Sequence, residues 1–542
     1  MSTRLSTRTA EPPTLVRAAR VETLTERSPA CAFLYENGVV QQVFTSNEQA
    51  QQVAQRPGVR TIDRPGLCIV PGFCDAHVHL KWLGESLREP DLSNCTSYSD
   101  VRRRLITFIE RHSPNPGTLI RGRGWKPDAL TEHGWPHWSD LKHDVLDRYR
   151  IALMSHDHHA CWINKRMLDQ LSMDTTLADR EPVICDGDGS PTGVFLETAM
   201  EPVIDRIDES RKEQDTNELL ADALSELVAN GIVCAHDIGH GDSLRAHRTL
   251  RTDRDVLPDI LFFCFQDSWA TLTERQSKPG PLADGLELAG MKLFADGTLG
   301  SGTAAMHEPY EDRDPDRPSP RGELINDQQE LTAHAKRAAS QGFATAIHAI
   351  GDRAVQTSLN TLSEVYSGRA DLDYRPRIEH AQFISPPDLK RFAQEEIVAS
   401  VQPCHLYQDA KTAPSRVGDR ANRMIPLNAL QESDATILFG SDAPIESRDP
   451  LRNLQAAVDR SSLPGPISCD ESISIEQALS YCCQTPARYL NHSGNRGKIQ
   501  SGFPASFVTL SDHPSNYSGP LTDIRLMETY IHGSRVYSTD SL

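Results

Sequence analysis

The chain has 542 residues, of which 38% are hydrophobic and 24% charged, and its formal net charge is −19 at pH 7. This length exceeds what a single hydrophobic core usually supports, so we expect a large domain together with a smaller one. The negative charge argues against binding to a nucleic-acid backbone, which requires a basic surface. No run of about 18 or more apolar residues predicts a segment that spans a membrane.

The N-terminus and the cysteines indicate where the protein works. Residues 1–13 are polar and lack the apolar core of a secretory signal, so we predict a disordered tail there. Twelve cysteines without C-x-x-C spacing are typical of free thiols in a reducing compartment. We therefore expect a cytoplasmic protein that acts on a small molecule, without nucleic-acid or membrane partners. Assembly into a homo-oligomer stays open.

Both ends of the chain have the character of short β segments separated by turns. Residues 14–70 include the predicted hairpin Ala32–Val43, whose turn contains Asn37-Gly38. Residues 500–542 contain two similar segments. We predict that the two ends meet in one small β-sandwich.

Between these ends, apolar strand-like runs alternate with helical segments. Runs that are apolar on both faces predict buried parallel strands joined by crossover helices. A doubly wound sheet gives the same pattern, so periodicity alone does not select a barrel. The predicted barrel domain covers residues 71–499, and the region from about 83 to 212 is long enough to be an insertion. The main runs are Leu67–Val70, Ile151–Met154, Ile232–Ala235, Met291–Phe294, Ala344–Ile347, Ile397–Val401 and Thr436–Phe439.

The clearest chemical signal is the segment P-G-F-C-D-A-H-V-H at residues 71–79, which directly follows an apolar run. Residues i and i+2 of a strand point to the same side, so His77 and His79 direct two imidazoles to one point. That point is the carboxyl end of a strand, where parallel barrels keep their active sites. Surface histidines also pair by chance, but this position predicts a metal site.

Four later strand ends carry residues suited to the same site. Each has a structural alternative: a hydrogen-bonded core histidine, a helix-capping aspartate, or a lysine whose ammonium pairs with Asp296 or Asp442. Their succession at consecutive strand ends indicates one shared centre instead. The four residues are Lys292, His348, His380 and Asp442.

The order of these residues resembles the amidohydrolase superfamily and, within it, the family 3 (YtcJ-like) group. The similarity spans roughly residues 65–505. It departs from the family near Gly502, where Ala505-Ser506 replaces the usual A-D pair. The phrases that carry it are K-L-F-A-D-G-T-L-G-S-G-T-A-A from Lys292, I-H-A-I-G-D-R-A-V from Ile347, R-I-E-H-A-Q from Arg377, S-V-Q-P from Ser400, G-S-D-A-P-I from Gly440, D-H-H at 157–159 with Asn164, and P-T-G-V from Pro191.

The resemblance implies an α/β fold, a (β/α)₈ TIM-type barrel with a small β-sandwich domain formed by both chain ends. It also implies one or two divalent metal ions per chain. His77, His79 and Asp442 would hold one ion, and His348 and His380 the other. A carbamate on Lys292 would bridge them. Zinc suits a mostly imidazole ligand set, whereas manganese and iron stay open.

The activity that this resemblance implies is hydrolysis of a C–N bond other than a peptide bond, in an N-acyl or N-formyl amine. A metal-bound hydroxide would attack the carbonyl, with Asp442 as the general base. The same chemistry would serve an ester, a lactone or a carbamate, and a barrel that only binds its ligand is a third hypothesis.

Further candidates for substrate binding are less sharply indicated. His159 either orients the substrate or forms hydrogen bonds within the insertion, where Asn164 and Trp125 are also candidates. His236 follows a strand and either faces the cavity or packs in the core. His405 follows the strand that ends in V-Q-P and is a candidate for lining the pocket.

Overall fold

The computed structural model describes residues 12–26, 29–126, 130, 135–155, 160–174, 183–212, 215–253, 256–270, 278–312, 319–369, 371–489 and 495–539. Except for its last two residues, the predicted tail at 1–13 lies outside these ranges. Within them, none of the helices combines the length and the apolar character that crossing a bilayer requires. All twelve cysteines are free thiols.

The strands of the described residues are numbered in chain order. They are β1 Thr14–Val21, β2 Ala30–Glu36, β3 Val39–Phe44, β4 Arg60–Pro71, β5 Phe73–Val78, β6 Leu119–Trp125, β7 Arg150–Ser155, β8 Ala160–Ile163, β9 Val183–Cys185, β10 Pro191–Leu196, β11 Ile232–Gly239, β12 Asp259–Phe265, β13 Gly280–Ala283, β14 Leu286–Phe294, β15 Ala344–Ala349, β16 Arg377–His380, β17 Val398–Val401, β18 Ile437–Phe439, β19 Phe507–Leu510, β20 Leu526–Ile531 and β21 Ser534–Ser538.

The α-helices of the same residues are numbered in the same way. They are α1 Asn47–Ala54, α2 Leu80–Leu87, α3 Tyr98–His112, α4 Lys165–Asp174, α5 Glu201–Lys212, α6 Thr216–Ala229, α7 Gly241–Asp253, α8 Gln328–Ala339, α9 Asp352–Tyr366, α10 Leu389–Gln394, α11 Leu406–Val417, α12 Leu427–Glu432, α13 Pro450–Val458, α14 Ile475–Leu479 and α15 Thr485–Tyr489.

Eight parallel strands form a barrel, in the order β5, β11, β12, β14, β15, β16, β17 and β18. The barrel closes between β18 and β5 through a parallel bridge that joins Val78 and Ala443. Two backbone hydrogen bonds support the closure: His79 N–H donates to Ala443 O at 2.9 Å, and Asp442 N–H donates to His77 O at 2.7 Å. The predicted (β/α)₈ fold class is therefore confirmed, and the doubly wound alternative is excluded because its sheet has two open edges.

Both ends of the chain join in one mixed seven-stranded sheet, ordered β21-β20-β19-β4-β1-β2-β3. β19 from the C-terminal end pairs antiparallel with β4, which in turn runs parallel to β1. Phe33 and Phe507, one from each end, pack edge to face with ring centroids 5.1 Å apart. The small β domain built from both ends is thus part of the confirmed fold class.

Two of the apolar runs lie outside the barrel, contrary to the expectation that all of them belong to one parallel sheet. Leu67–Val70 lies in β4 of the chain-end sheet, and Ile151–Met154 lies in β7. Their places in the barrel are taken by β5, which itself carries Asp75 and His77, and by β12. An apolar run indicates a strand that is buried on both faces. Strands outside the barrel can also be buried in this way, so the run alone does not identify a barrel strand.

Residues Leu83–Leu219 form a separate compact unit. Its five-stranded sheet has the order β6-β7-β8-β10-β9. Trp125, Trp162 and Tyr98 lie in its hydrophobic core, where the indole rings of Trp125 and Trp162 meet edge to face at 6.0 Å. The unit therefore has a core of its own.

The seam between β18 and β5 leaves no room for side chains at Gly440. There the Asp75 carboxylate accepts hydrogen bonds from the Ser441 N–H at 2.9 Å and from the Ser441 hydroxyl at 2.5 Å. A Cβ atom added at Gly440 would lie 2.5 Å from His77 N and 2.6 Å from His77 Cβ. Because His77 N belongs to the backbone of β5 and His77 Cβ is bonded directly to that backbone, neither atom can move without shifting the strand.

We predict that Gly440→Ala destabilises the barrel by about 1–3 kcal/mol or more, since overpacking at a backbone contact forces strand displacement. Thermal unfolding followed by circular dichroism measures the effect. Gly241→Ala is the matched control, because its added Cβ would meet no atom closer than 3.9 Å. Equal unfolding temperatures for Gly440→Ala and the parent would contradict this account of the seam.

Candidate metal centre

All six predicted ligand residues lie at the carboxyl end of the barrel and line one cavity of about 280 Å³. Each is at most 9% exposed. They come from β5, β14, β15 and β16 and from the short segments that follow β5 and β18. The six are His77, His79, Lys292, His348, His380 and Asp442.

Hydrogen bonds to their Nδ1 atoms orient the two histidines of the H-x-H segment. His77 Nδ1 donates a hydrogen bond to Glu379 Oε2 at 2.6 Å, and His79 Nδ1 donates to the Ile238 carbonyl at 2.8 Å. Each bond places the ring proton on Nδ1, which leaves Nε2 with a free lone pair. Both Nε2 atoms point to Asp442 Oδ1, at 3.3 Å from His77 and 3.2 Å from His79.

Two imidazole nitrogens therefore lie within 3.3 Å of the same carboxylate oxygen. Burial and nearby Lys292 lower the pKa of His77 to about 4, so its imidazole is neutral. Two lone pairs and a carboxylate oxygen repel one another unless a positive charge lies among them. Nitrogen and oxygen donors with second ring nitrogens fixed by hydrogen bonds are the ligand set that a divalent metal requires. The residues of this centre fit a metal ion.

His348 and His380 extend the ligand set on the opposite side. Their rings lie 4.4 Å apart, and the His77 and His380 rings 5.1 Å apart. His348 Nε2 donates to the Gly297 carbonyl at 3.1 Å, which leaves Nδ1 unprotonated. Burial, aided by Lys292, lowers the pKa of His348 to about 3, and burial beside His348 holds the pKa of His380 well below its usual range. Both imidazoles are neutral, as metal ligands must be.

Lys292 lies at the floor of this cavity with its side chain 1% exposed. Burial lowers the pKa of its ammonium to about 8, although Glu379 and Asp442 oppose that effect. Among the described carboxylates, none pairs with Lys292 within 4.0 Å, and Nζ lies 5.4 Å from the centre of the Phe294 ring. The amine is thus buried and partly uncharged near neutral pH.

The alternative partner Asp296 is engaged elsewhere. Its carboxylate accepts the backbone N–H groups of Ala305 at 2.8 Å, Ile350 at 3.0 Å and Gly351 at 2.8 Å. These bonds tie the segment after β14 to the segment after β15. Asp296 therefore stabilises the loops around the centre, and a paired Lys292–Asp296 site is not what the structure shows.

Two of the predicted ligand residues have left-handed backbone conformations, which residues other than glycine rarely adopt. The φ angle is +71° at His380 and +59° at Asp442. Such a conformation costs about 1–2 kcal/mol per residue. At Asp442, the bond from its N–H to His77 O secures the conformation. Backbone strain of this kind concentrates at functional sites, where the surrounding structure maintains it.

Sequence reasoning missed Arg377 and Glu379, which support the centre from within the barrel. Glu379 Oε2 accepts the bond from His77, while its other oxygen forms an ion pair with Arg377. Burial raises the pKa of Glu379, but Arg377 and His77 outweigh burial and hold it below the usual range. The sequence did contain a signal for this pair. Arg377 and Glu379 are charged residues at i and i+2 of a buried strand, and burying two charges there is unfavourable unless they pair.

The predicted substrate-binding residues fall into different places. His405 lines the cavity, and its Nε2 lies 3.3 Å from Asp442 Oδ2. His236 is fully buried and does not line it. Its Nε2 donates to Pro486 O at 3.1 Å, and its Nδ1 accepts from Arg377 at 2.8 Å, so both ring nitrogens are engaged in the core. Of the two predicted positions for His236, facing the cavity or packing in the core, the structure shows the second.

The remaining candidates belong to the unit formed by residues 83–219. Trp125 is fully buried there, and its indole N–H donates to Leu153 O at 2.8 Å. Asn164 Oδ1 accepts the N–H groups of Ile151 and Met167, both at 3.1 Å. Both side chains thus have structural partners within their unit. His159 lies outside the described residues.

Comparisons with known proteins agree with this geometry. The model of the amidohydrolase family matches residues 60–537. The protein YtcJ of Bacillus subtilis is 29% identical, with 93% of this chain and 96% of that protein covered. N-substituted formamide deformylase of Arthrobacter pascens is 25% identical, with 95% and 96% covered. A crystal structure of an uncharacterized metal-dependent hydrolase from Pyrococcus furiosus is 27% identical, covers 93% of this chain and 100% of its own, and has a TM-score of 0.73. Because the family model covers most of its length, this chain belongs to the amidohydrolase family.

Proposed function

We propose that this protein is a metal-dependent hydrolase that cleaves a C–N bond other than a peptide bond, in an N-acyl or N-formyl amine. The observation that carries the proposal is that His77 Nε2 and His79 Nε2 lie 3.3 Å and 3.2 Å from the same carboxylate oxygen, Asp442 Oδ1, while His77, His380 and Asp442 offer ligand atoms within 4.8 Å of one another. The similarity to a relative named N-substituted formamide deformylase supports an amide-type bond.

The ligand atoms divide into two groups. His77, His79 and Asp442 would hold one divalent ion, for which zinc is the best match, and His348 and His380 would hold a second. Lys292 contributes as a carbamate: its uncharged amine adds to the carbon of carbon dioxide and releases a proton. A pKa of about 8 leaves roughly a tenth of the amine uncharged at pH 7. When bound, the metal supplies Lewis acidity that polarises the substrate carbonyl and makes water a stronger acid.

Asp442 moves the proton. Burial raises the pKa of its carboxyl, but the surrounding histidines, His77 first, outweigh burial and hold it well below the usual range. As an anion, Asp442 accepts a proton from the water whose oxygen bonds to the carbonyl carbon. It then donates this proton to the amine nitrogen as the C–N bond breaks. His405, 3.3 Å from Asp442 Oδ2, positions the carboxylate for both steps.

A panel of substrates tests the reaction class. We expect the metal-loaded protein to hydrolyse N-formyl and N-acyl amines, and Asp442→Asn to reduce the rate by about 10²- to 10⁴-fold, the usual contribution of a general acid–base group. Released amine is measured with a colorimetric assay. Turnover of Asp442→Asn within a few-fold of the parent would exclude Asp442 as the base. If the protein hydrolyses esters, lactones or carbamates but none of the amides, the assignment of a C–N bond is wrong and the alternative substrate class takes its place.

Metal content tests the ligand assignment. Replacing His77 and His79 together with Ala should reduce the bound divalent metal to the background level, because two ligands of one ion are lost. Elemental analysis of dialysed protein measures the stoichiometry, and circular dichroism checks the fold. The control is His143→Ala, since that histidine is exposed. Undiminished metal in the double variant would refute the assignment.

Chemical rescue tests the role of Lys292. We expect Lys292→Ala to be inactive and short carboxylic acids to restore part of its activity, because a carboxylate can occupy the position of the lost carbamate. Rates are compared with sodium chloride at equal ionic strength. If the variant keeps two metals and nearly full activity without added acid, the bridging role of Lys292 is wrong.

A further inference from the structure

Trp82 and Phe294 form one aromatic wall of the cavity at the metal centre, and the buried ring of Phe265 packs against both of them. The Trp82 and Phe265 rings stack with centroids 5.7 Å apart and planes at 26°, and the Phe265 and Phe294 rings stack at 5.9 Å and 22°. This row begins beside His79, 4.3 Å from Trp82, and ends beside His348, 5.4 Å from Phe294. Apolar rings therefore lie beside the candidate ligands on both sides of the set, and Trp82 and Phe294 are the two that face the cavity.

The facing wall is acidic and is formed by Asp409 of α11 and Glu446, which follows β18. Both residues line the same cavity as the metal ligands. Asp409 accepts a hydrogen bond from Gln382 Nε2 at 2.5 Å. For Glu446, no Lys, Arg or His nitrogen of the described residues lies within 4.0 Å of its carboxylate. Glu446 is thus a half-buried anion without a cationic partner in that part of the chain.

Nearby positive charge does not compensate for the burial of this wall. Burial raises the pKa of Glu446 despite His405 and Arg452, and burial likewise raises the pKa of Asp409. The Arg452 guanidinium instead lies over the Tyr407 ring, 3.9 Å from its centre. A carboxylate removed from water without a cation close to it is unfavourable, so a cation that entered the cavity here would be stabilised.

The same wall disfavours anions. No arginine is among the described residues that line the cavity, and the one lysine among them, Lys292, lies at the floor of the metal centre. An anionic substrate group would therefore meet two carboxylates on this side, where the neighbouring His405 already pairs with Asp442. Unpaired like charges of this kind are a common means of excluding the wrong ligand.

We propose that the cavity selects substrates with an aromatic or branched apolar group on one side of the scissile bond and an ammonium group on the other, and that Glu446 binds the ammonium. The assignment of a substrate class rests on the proposed function, since that function defines the bond between the two groups. The binding of an aryl ammonium compound follows from the two walls alone. Glu446 is the specificity-determining residue, and the aromatic wall receives the apolar group through stacking.

Equilibrium binding tests the site without relying on catalysis. The probes are 3-phenylpropylamine, an ammonium ion at pH 7, and 3-phenylpropan-1-ol, its neutral isostere. With metal-loaded full-length protein, titration calorimetry should show the amine bound about tenfold more tightly or better, as expected for a hydrogen bond to a charged group. Glu446→Gln keeps the size of the side chain and should abolish this preference. The control Glu432→Gln, at an exposed position, should retain it.

Equal binding of amine and alcohol by the parent protein would overturn the proposal. A preference that survives in Glu446→Gln would also overturn it, because coordination of the amine to the metal would then explain the difference.

Kinetics separate this site from the proposed function. The substrates are the 3-phenylpropanoyl amides of ethylenediamine and of propylamine, which differ by an ammonium in place of a methyl group. We expect kcat/KM to be about tenfold higher for the ethylenediamine amide, and Glu446→Gln to remove that ratio. If the binding preference is found but neither amide is cleaved, the proposed function fails and the ammonium site stands. If both are cleaved equally, the function stands and the site is wrong.

Discussion

The structure of this centre depends on the two nitrogens of each imidazole ring. When one nitrogen donates a hydrogen bond to the protein, the other is left as an acceptor whose direction is fixed. Glu379 does this for His77, the Ile238 carbonyl for His79, and the Gly297 carbonyl for His348. All three rings line the cavity that also contains Asp442. Because unprotonated acceptors repel one another, a positive charge among them would stabilise the centre.

This arrangement requires a polar interior beneath the ligands, where most barrels carry branched apolar side chains. Arg377, fully buried, pairs with Glu379, donates to His236 Nδ1 at 2.8 Å, and donates to Ala76 O at 3.1 Å. Its guanidinium also lies 4.2 Å from the centre of the Phe263 ring. A buried ion pair contributes little net stability, but removal of one partner leaves the other charge uncompensated. The interior network thus maintains the orientation of His77 rather than adding to the hydrophobic core.

The barrel places the two unlike walls of the cavity through different elements. Phe265 ends β12 and Phe294 ends β14, so the closed sheet itself holds them in position. Asp409 and Glu446 lie in segments that follow β17 and β18, where the chain is free to vary without disturbing the sheet. Strand ends therefore provide most of the candidate ligands and two of the aromatic rings, while the following segments provide the carboxylates to which we assign substrate selection.

Sequence by itself identified the candidate ligand set that the structure brings to one cavity, because the two-residue period of a strand and the position of a polar residue at its end are local properties. The sequence indicated His77 and His79 together, and Lys292, His348, His380 and Asp442 in order. It also indicated alternating strands and helices, but Leu67–Val70 was assigned to the barrel although it lies in β4 of the chain-end sheet. A continuous apolar run is the same local signal in either sheet.

Tertiary structure decided what no local signal contains. Closure of the barrel brings Asp442 beside His77, and it brings Glu379 to His77 from 302 residues further along the chain. The same closure determines that His236 turns into the core and that His405 reaches Asp442. Hydrogen bonds of this kind depend on which strands are neighbours and on how far each following segment extends. Both are set by the packing of the whole sheet, so only the folded chain defines them.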